Sequence, residues 1–264
     1  MGENIHNKEK VAIKIELQGG QDNQISMLKN ETRILEYLSR NGIRTQIPQV
    51  YWFGTNENNF SLIMTYFVGE SLETIMLRND IKKEIIIKDW IISSINILEK
   101  IHLYGVIHRD IKPAHFIFVE EKQKWVLIDF GFSTFFSEEI EIKTKNTEYI
   151  IGTPNYISIN IHNGFKPTPI DDIWSVIYIY IRCMFPELFI FSLKKNELEK
   201  EIYPLNHILN NHNQCRKERK ELINKSEFWE NTREKEKTKK LLNIIQNKST
   251  TKNIYNNIRS LYTF

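Results

Sequence analysis

The sequence predicts an α+β chain whose strands crowd into the first 67 of its 264 residues and whose helices fill most of the rest. Three observations predict it. β-branched and aromatic runs at Val11–Glu16, Gln49–Phe53 and Phe60–Phe67 have strand length and are separated by turn residues or one helical stripe. A long helical stripe follows over Ile85–Tyr104. Two short apolar runs, Phe116–Val119 and Val126–Ile128, then have the spacing of a hairpin around Glu120–Lys124.

Taken in order, the first strand places Lys14 on a face with Ala12, opposite Val11, Ile13 and Ile15. On pattern alone Lys14 is a solvent-facing lysine on an edge strand. Ile25, Leu28, Leu35 and Leu38 recur at helical spacing, and Glu31 falls on the same apolar stripe. A carboxylate there is costly unless it is paired, and Lys14 is its natural partner. Asn41-Gly42 ends that helix. The next two strands are joined by the polar turn Thr55–Asn59. Ile87, Trp90, Ile91, Ile95, Leu98 and Ile101 trace one stripe of the long helix, which stops at Gly105. The hairpin that follows brings Asp110 and Asp129 to neighbouring ends. The most apolar window, Ile173–Leu193, is broken by Arg182, Pro186 and Glu187, so it reads as a core helix rather than a membrane span. The mixed charges from Cys215 to Lys240 read as a solvated face, with Leu222, Ile223, Phe228 and Trp229 turned inward. A further helical stretch runs from Lys248 to Leu261.

Apolar residues make up 41% of the chain and charged residues 26%, the balance of an ordinary globular protein long enough for a sizeable core. A net charge of +3 gives no argument for nucleic acid or an acidic membrane as partner. Cys183 and Cys215 provide neither a disulfide framework nor metal-ligand spacing, which points to a reducing intracellular compartment. The opening Met1-Gly2-Glu3 has no signal-peptide apolar region, and His6 stands where myristoylation takes Ser or Thr.

The chemistry is concentrated in His108-Arg109-Asp110-Ile111-Lys112-Pro113-Ala114-His115-Phe116, followed by Asp129-Phe130-Gly131. An aspartate two residues from a lysine offers a proton acceptor beside a cation, and the second aspartate offers oxygen to a hard metal. Phosphoryl transfer uses these parts. Together they resemble the catalytic loop and metal motif of eukaryotic protein kinases. Gly152-Thr153-Pro154-Asn155-Tyr156-Ile157-Ser158-Ile159-Asn160, Asp171-Asp172-Ile173-Trp174-Ser175 and Gly69-Glu70-Ser71-Leu72-Glu73 are similar to the casein kinase 1 family, over roughly residues 8–185.

The resemblance implies one bilobal kinase domain over 1–264. Its N-lobe spans 1–67, its hinge lies near 64–69, and its helical C-lobe spans 70–264. It implies a serine/threonine kinase using ATP and Mg²⁺ on protein substrates, as a monomer in the cytoplasm or nucleus. Asp110 would orient the substrate hydroxyl, Lys112 would neutralise the moving phosphate, and Thr153 would support both. Lys14 paired with Glu31 would fix the nucleotide. Met64, Thr65, Tyr66 and Phe67 would border adenine, with Met64 or Thr65 as gatekeeper. Asp129 would hold Mg²⁺, and Asp172 would hydrogen-bond the backbone of the catalytic loop. Ser133, Thr144 and Thr147 are available hydroxyls, on which this family does not usually depend.

Three positions depart from the family. His115 stands where the second metal ligand is normally Asn, so a nitrogen replaces an oxygen. Only thirteen residues precede Lys14, with one glycine among them, so the first strand and the glycine-rich phosphate cover are expected to be missing, either because the true start lies upstream or because the lid has been lost. Asn155 replaces the arginine linked to acidic substrates. On the same fold, a binding or scaffold module with little turnover is the alternative reading.

Overall fold

The computed structural model describes residues 1–17, 26–56, 58–78, 82–136, 149–188, 202–204, 210–224, 232–246 and 251–262. Ile25, Thr144, Thr147, Phe228 and Trp229, and the side chain of Ile223, lie outside them.

The N-lobe is a four-stranded sheet against one helix. Strand β1 (Gly2–Glu3) pairs antiparallel with β2 (Lys10–Leu17), Gly2 opposite Val11. A two-residue strand thus precedes the one bearing Lys14. After helix α1 (Met27–Arg40) come β3 (Val50–Asn56) and β4 (Asn59–Thr65), and the sheet order is β1-β2-β4-β3. Along β2 the exposure runs opposite to ordinary amphipathicity. Ile15 and Leu17 are 67% and 78% exposed, while Ala12, Lys14 and Glu16 face inward and are half-buried. α1 explains the inversion, because it presents polar groups to that inner face. Glu16 Oε2 accepts from the Leu28 backbone N–H at 2.8 Å and the Ser26 hydroxyl at 3.1 Å, which ties the start of α1 to the sheet. Ser26 in turn caps the helix through Lys29 N–H. Leu28, Ile34, Leu35 and Leu38 fill the core, and the helix ends at Asn41, with Gly42 at φ +89°.

The chain crosses to the C-lobe through Tyr66–Val68. β5 (Glu70–Ser71) then joins β7 (Phe116–Val119) and β8 (Lys124–Leu127) in a three-stranded sheet. Gly69 makes that crossing possible, since a Cβ there would stand 2.1 Å from the Phe118 carbonyl oxygen. Helix α2 (Leu72–Met76) leads to α3 (Lys82–Leu103), in which all six stripe residues expected from the sequence are buried. Gly105, at φ +69°, turns the chain into β6 (Val106–Ile107), which pairs with β9 (Thr134–Phe135).

Beyond β10 (Tyr149–Ile151) and α4 (Ile159–His162), helix α5 (Pro169–Met184) is buried almost all round and packs against α3. A Thr168–Asp171 capping box starts α5. Strand β11 (Ile202–Pro204) pairs with β10. Helices α6 (Asn210–Asn224), α7 (Arg233–Gln246) and α8 (Thr251–Tyr262) close the lobe. Among the described residues no helix is long and apolar enough to cross a membrane.

α6 corrects the solvated reading of the charged tail at one residue. Arg219 is 2% exposed. It donates to the carbonyls of Pro154 and Ile157 at 3.2 Å each and to that of Asn155, and its guanidinium lies 4.4 Å from the Tyr178 ring centroid. It thereby straps the segment beside the catalytic loop to the far end of the chain.

Candidate active site

The loop from His108 to Phe116 is positioned from below by an acid at the start of α5. Asp172 Oδ2 accepts from His108 N–H at 2.7 Å and Oδ1 from Arg109 N–H at 2.9 Å. These bonds hold Arg109 at φ +71°, a left-handed conformation costly for a residue with a Cβ. Asp172 is both the buried backbone acceptor that the resemblance implies and an acid in the first turn of a helix.

A longer buried chain stands behind it. His102 Nε2 lies 2.9 Å from Asp172 Oδ2, and the Tyr255 hydroxyl reaches His102 Nδ1 from α8. A carboxylate can only accept, so Nε2 carries the hydrogen and Nδ1 accepts from tyrosine. Tyr255→Phe removes one hydrogen bond of about 1 kcal/mol. It should lower kcat roughly fivefold without moving KM for ATP. The ¹⁵N resonances of His102 should shift from one ring tautomer towards a mixture. An unchanged kcat together with an unchanged tautomer would show that Tyr255 only fills space.

Burial pulls the His108 imidazole below its ordinary value, helped by neighbouring His115. The Asp110 N–H donates to Nδ1 at 3.3 Å, so Nε2 donates to the Ile128 carbonyl at 3.1 Å.

Asp110 itself is 1% exposed. Thr153 donates to Oδ1 twice, from its hydroxyl at 2.7 Å and its N–H at 3.1 Å, and Lys112 Nζ is 2.9 Å from Oδ2. Burial by itself would raise this carboxyl. His115, Lys112 and Thr153 outweigh it and hold the group below the ordinary carboxylate range.

Across the site, Lys14 Nζ lies 2.8 Å from both oxygens of Glu31 and 2.8 Å from Asp129 Oδ1. The expected Lys14–Glu31 pair is formed, and Asp129 is added to it. Glu31 is 1% exposed, and its Oε1 also accepts from Phe130 N–H at 3.2 Å. Burial raises Glu31, since Lys14 recovers only part of that cost. Burial lowers Lys14, but Glu31 and Asp129 together hold it above its ordinary value. Asp129 occupies a left-handed conformation at φ +67°. Burial would raise its carboxyl as well, yet His115 and Lys14 hold it far below the usual range.

His115 stands between the two acids. Its Nδ1 is 3.6 Å from Asp110 Oδ2, and its Nε2 is 3.3 Å from Asp129 Oδ2. Both carboxylates therefore open onto one space.

Of the residues expected to border adenine, Met64 and Thr65 close β4 and Tyr66 and Phe67 follow it. Met64 is buried in the core, while Thr65 turns the other way and its N–H and hydroxyl engage Gln49. Tyr66 is exposed, and Phe67 is partly buried. Ser133 is buried, unlike an accessible modification site.

Three contributors carried no sequence signal strong enough to single them out. Asn30, beside Glu31, donates to the carbonyls of Gly131 at 2.9 Å and Ser133 at 2.8 Å, binding α1 to the metal-motif loop. A polar residue next to an apolar stripe looks like any helix flank. His102 and Tyr255 lie on separate helices, and only the fold brings them to Asp172.

A strand lysine, a helix glutamate and two loop aspartates meeting between a β lobe and a helical lobe define a phosphotransferase of the kinase type. The sequence matches the family model described as protein kinase domain over residues 1–255, and the chain belongs to that family. Its substrates are accordingly proteins.

Proposed function

We propose that the chain is a serine/threonine kinase of the casein kinase 1 type, acting as a monomer in the cytoplasm or nucleus. It would move the γ-phosphate of ATP onto Ser or Thr hydroxyls. One observation carries this reading: Asp110 is fixed by two Thr153 donors with Lys112 at 2.9 Å, facing Asp129 across a shared space.

Asp110, held ionised, accepts the hydrogen bond of the incoming hydroxyl and receives its proton as the new O–P bond forms. The bond from the γ-phosphorus to its bridging oxygen breaks, and the nucleoside diphosphate leaves. Lys112 balances the charge of the transferred group, and Thr153 keeps Asp110 and Lys112 in register. Lys14 grips the α- and β-phosphates while Glu31 fixes its ammonium. Met64 fills the back of the adenine site as gatekeeper, with Thr65, Tyr66 and Phe67 along its edge. The carboxylate oxygen of Asp129 suits a divalent cation; the imidazole of His115 does not suit Mg²⁺. When bound, the Asp129 cation shields the phosphate oxygens.

Phosphate transfer from labelled ATP to three peptides differing only in a Ser, Thr or Tyr acceptor tests the reading. Transfer to Ser and Thr at least tenfold above Tyr is expected for this geometry, a preference of about 1.4 kcal/mol. Transfer favouring Tyr would overturn the acceptor class, and no transfer above blank would overturn the enzyme.

A further inference from the structure

Granted the kinase reading proposed above, we propose that the His115 ring takes the place of a second divalent ion, so that the chain engages its nucleotide with one metal ion rather than two.

The hydrogen bonds of the ring carry the assignment. His115 ends the 3₁₀ turn Pro113–His115, with its N–H bonded to the Lys112 carbonyl at 3.0 Å and its own carbonyl accepting from Ile128 N–H at 2.9 Å. The backbone is thus clamped on both sides. The ring is buried, with Nδ1 2.9 Å from the Asp110 carbonyl oxygen and Nε2 3.3 Å from Asp129 Oδ2. Both of those oxygens can only accept, so each ring nitrogen presents a hydrogen and neither offers a lone pair. A metal needs the lone pair. Beside the ring stands buried His108, its centroid 5.9 Å away, and His108 is itself packed 4.9 Å from the buried Phe130 ring. The imidazole therefore has no room to withdraw on that side, and the position keeps a donor where Mg²⁺ demands oxygen.

The ring already does what a second cation would do there. It lies between the carboxylates of Asp110 and Asp129 and ties the loops that carry them together. Burial would raise both acids, and His115 is among the groups that hold both below the ordinary carboxylate range. Asp129 keeps capacity for one ion. Lys14 takes its Oδ1 at 2.8 Å and His115 faces Oδ2, yet a carboxylate offers about four acceptor positions, so each oxygen has one left. That suits a single cation whose remaining ligands are phosphate oxygens and water.

The experiment uses the full chain in excess over a non-hydrolysable ATP analogue, so that the nucleotide is bound, and titrates Mn²⁺ as a spin probe. Electron paramagnetic resonance counts the ions held per nucleotide and detects a neighbouring pair by its magnetic coupling. The wild type should hold one Mn²⁺ without coupling. His115→Asn, which puts an amide oxygen in place of the ring, should hold two, coupled to one another. Two coupled ions in the wild type would overturn the proposal. One ion in both proteins would overturn it as well, since the ring would then not be what excludes the second and would be a structural hydrogen-bonder alone. The wild-type count stands even if His115→Asn folds poorly, and His115→Asp then supplies the oxygen donor for the second arm. An analogue that fails to bind in calorimetry with Mn²⁺ present would overturn the kinase reading instead.

Discussion

Asp110→Asn should lower kcat about 10³-fold while KM for ATP stays within about twofold, the scale on which a positioned proton acceptor contributes. The substitution is isosteric, so the loss is one of charge and acceptor capacity. The two Thr153 donors oblige the new amide to keep its oxygen where Oδ1 now sits. Its NH₂ then faces the Lys112 ammonium, donor against donor, and the lysine is displaced from the site of phosphate transfer. Stability should respond with a definite sign. Asp110 is held below its unfolded value, so its contribution is present above the unfolded pKa and is lost as pH falls through the folded one. The melting-temperature gap between wild type and Asp110→Asn should hold steady from neutral pH down to the unfolded aspartate pKa of about 3.9 and shrink only below it. A variant retaining a tenth of wild-type kcat would remove Asp110 from the chemistry.

Lys14→Met should act on both stability and binding. Glu31 would be left as a buried carboxylate with the Phe130 N–H and no cation, a change that typically costs about 3–5 kcal/mol. Nucleotide affinity should fall at the same time, because the group proposed to grip the α- and β-phosphates is gone. Burial already raises Glu31, and removing Lys14 raises it further. A group with a raised folded pKa contributes fully below its unfolded pKa, and the contribution is lost as pH rises through the folded value. The variant's deficit should therefore be largest at pH 8 and should diminish towards pH 5, measured by thermal melts. Lys14→Met with Glu31→Leu should recover most of the stability and none of the activity, since an apolar pair replaces an unpaired charge. A deficit independent of pH, or one that the double variant leaves intact, would mean that the pair is not what holds α1 to the sheet.

The two lobes were legible in the sequence because their cores follow simple periods. All six residues of the α3 stripe are buried, and the Phe116–Leu127 hairpin pairs as its spacing implies. The candidate site was legible to the extent that its residues lie close together in the chain. Asp110, Lys112 and His115 share one loop, and Glu31 betrayed itself as a carboxylate on an apolar stripe. Long-range polar partnerships left no such trace. On β2 the plain amphipathic reading fails, since Ile15 is exposed and Lys14 turns inward to Glu31 and Asp129. Burial there is decided by what α1 carries, which no local period encodes. The two-residue strand β1 was missed because Gly2 and Glu3 have no strand propensity, and only pairing with β2 makes them a strand. Arg219 was hidden in a run of charges.

That arginine has a consequence for how acceptor preference can change. It grips the segment from Pro154 to Ile157 through main-chain oxygens, which are the same whatever side chains the segment bears. Anchorage is thereby separated from recognition, and the surface beside Asp110 can be rewritten residue by residue while its mooring to α6 stays unaltered.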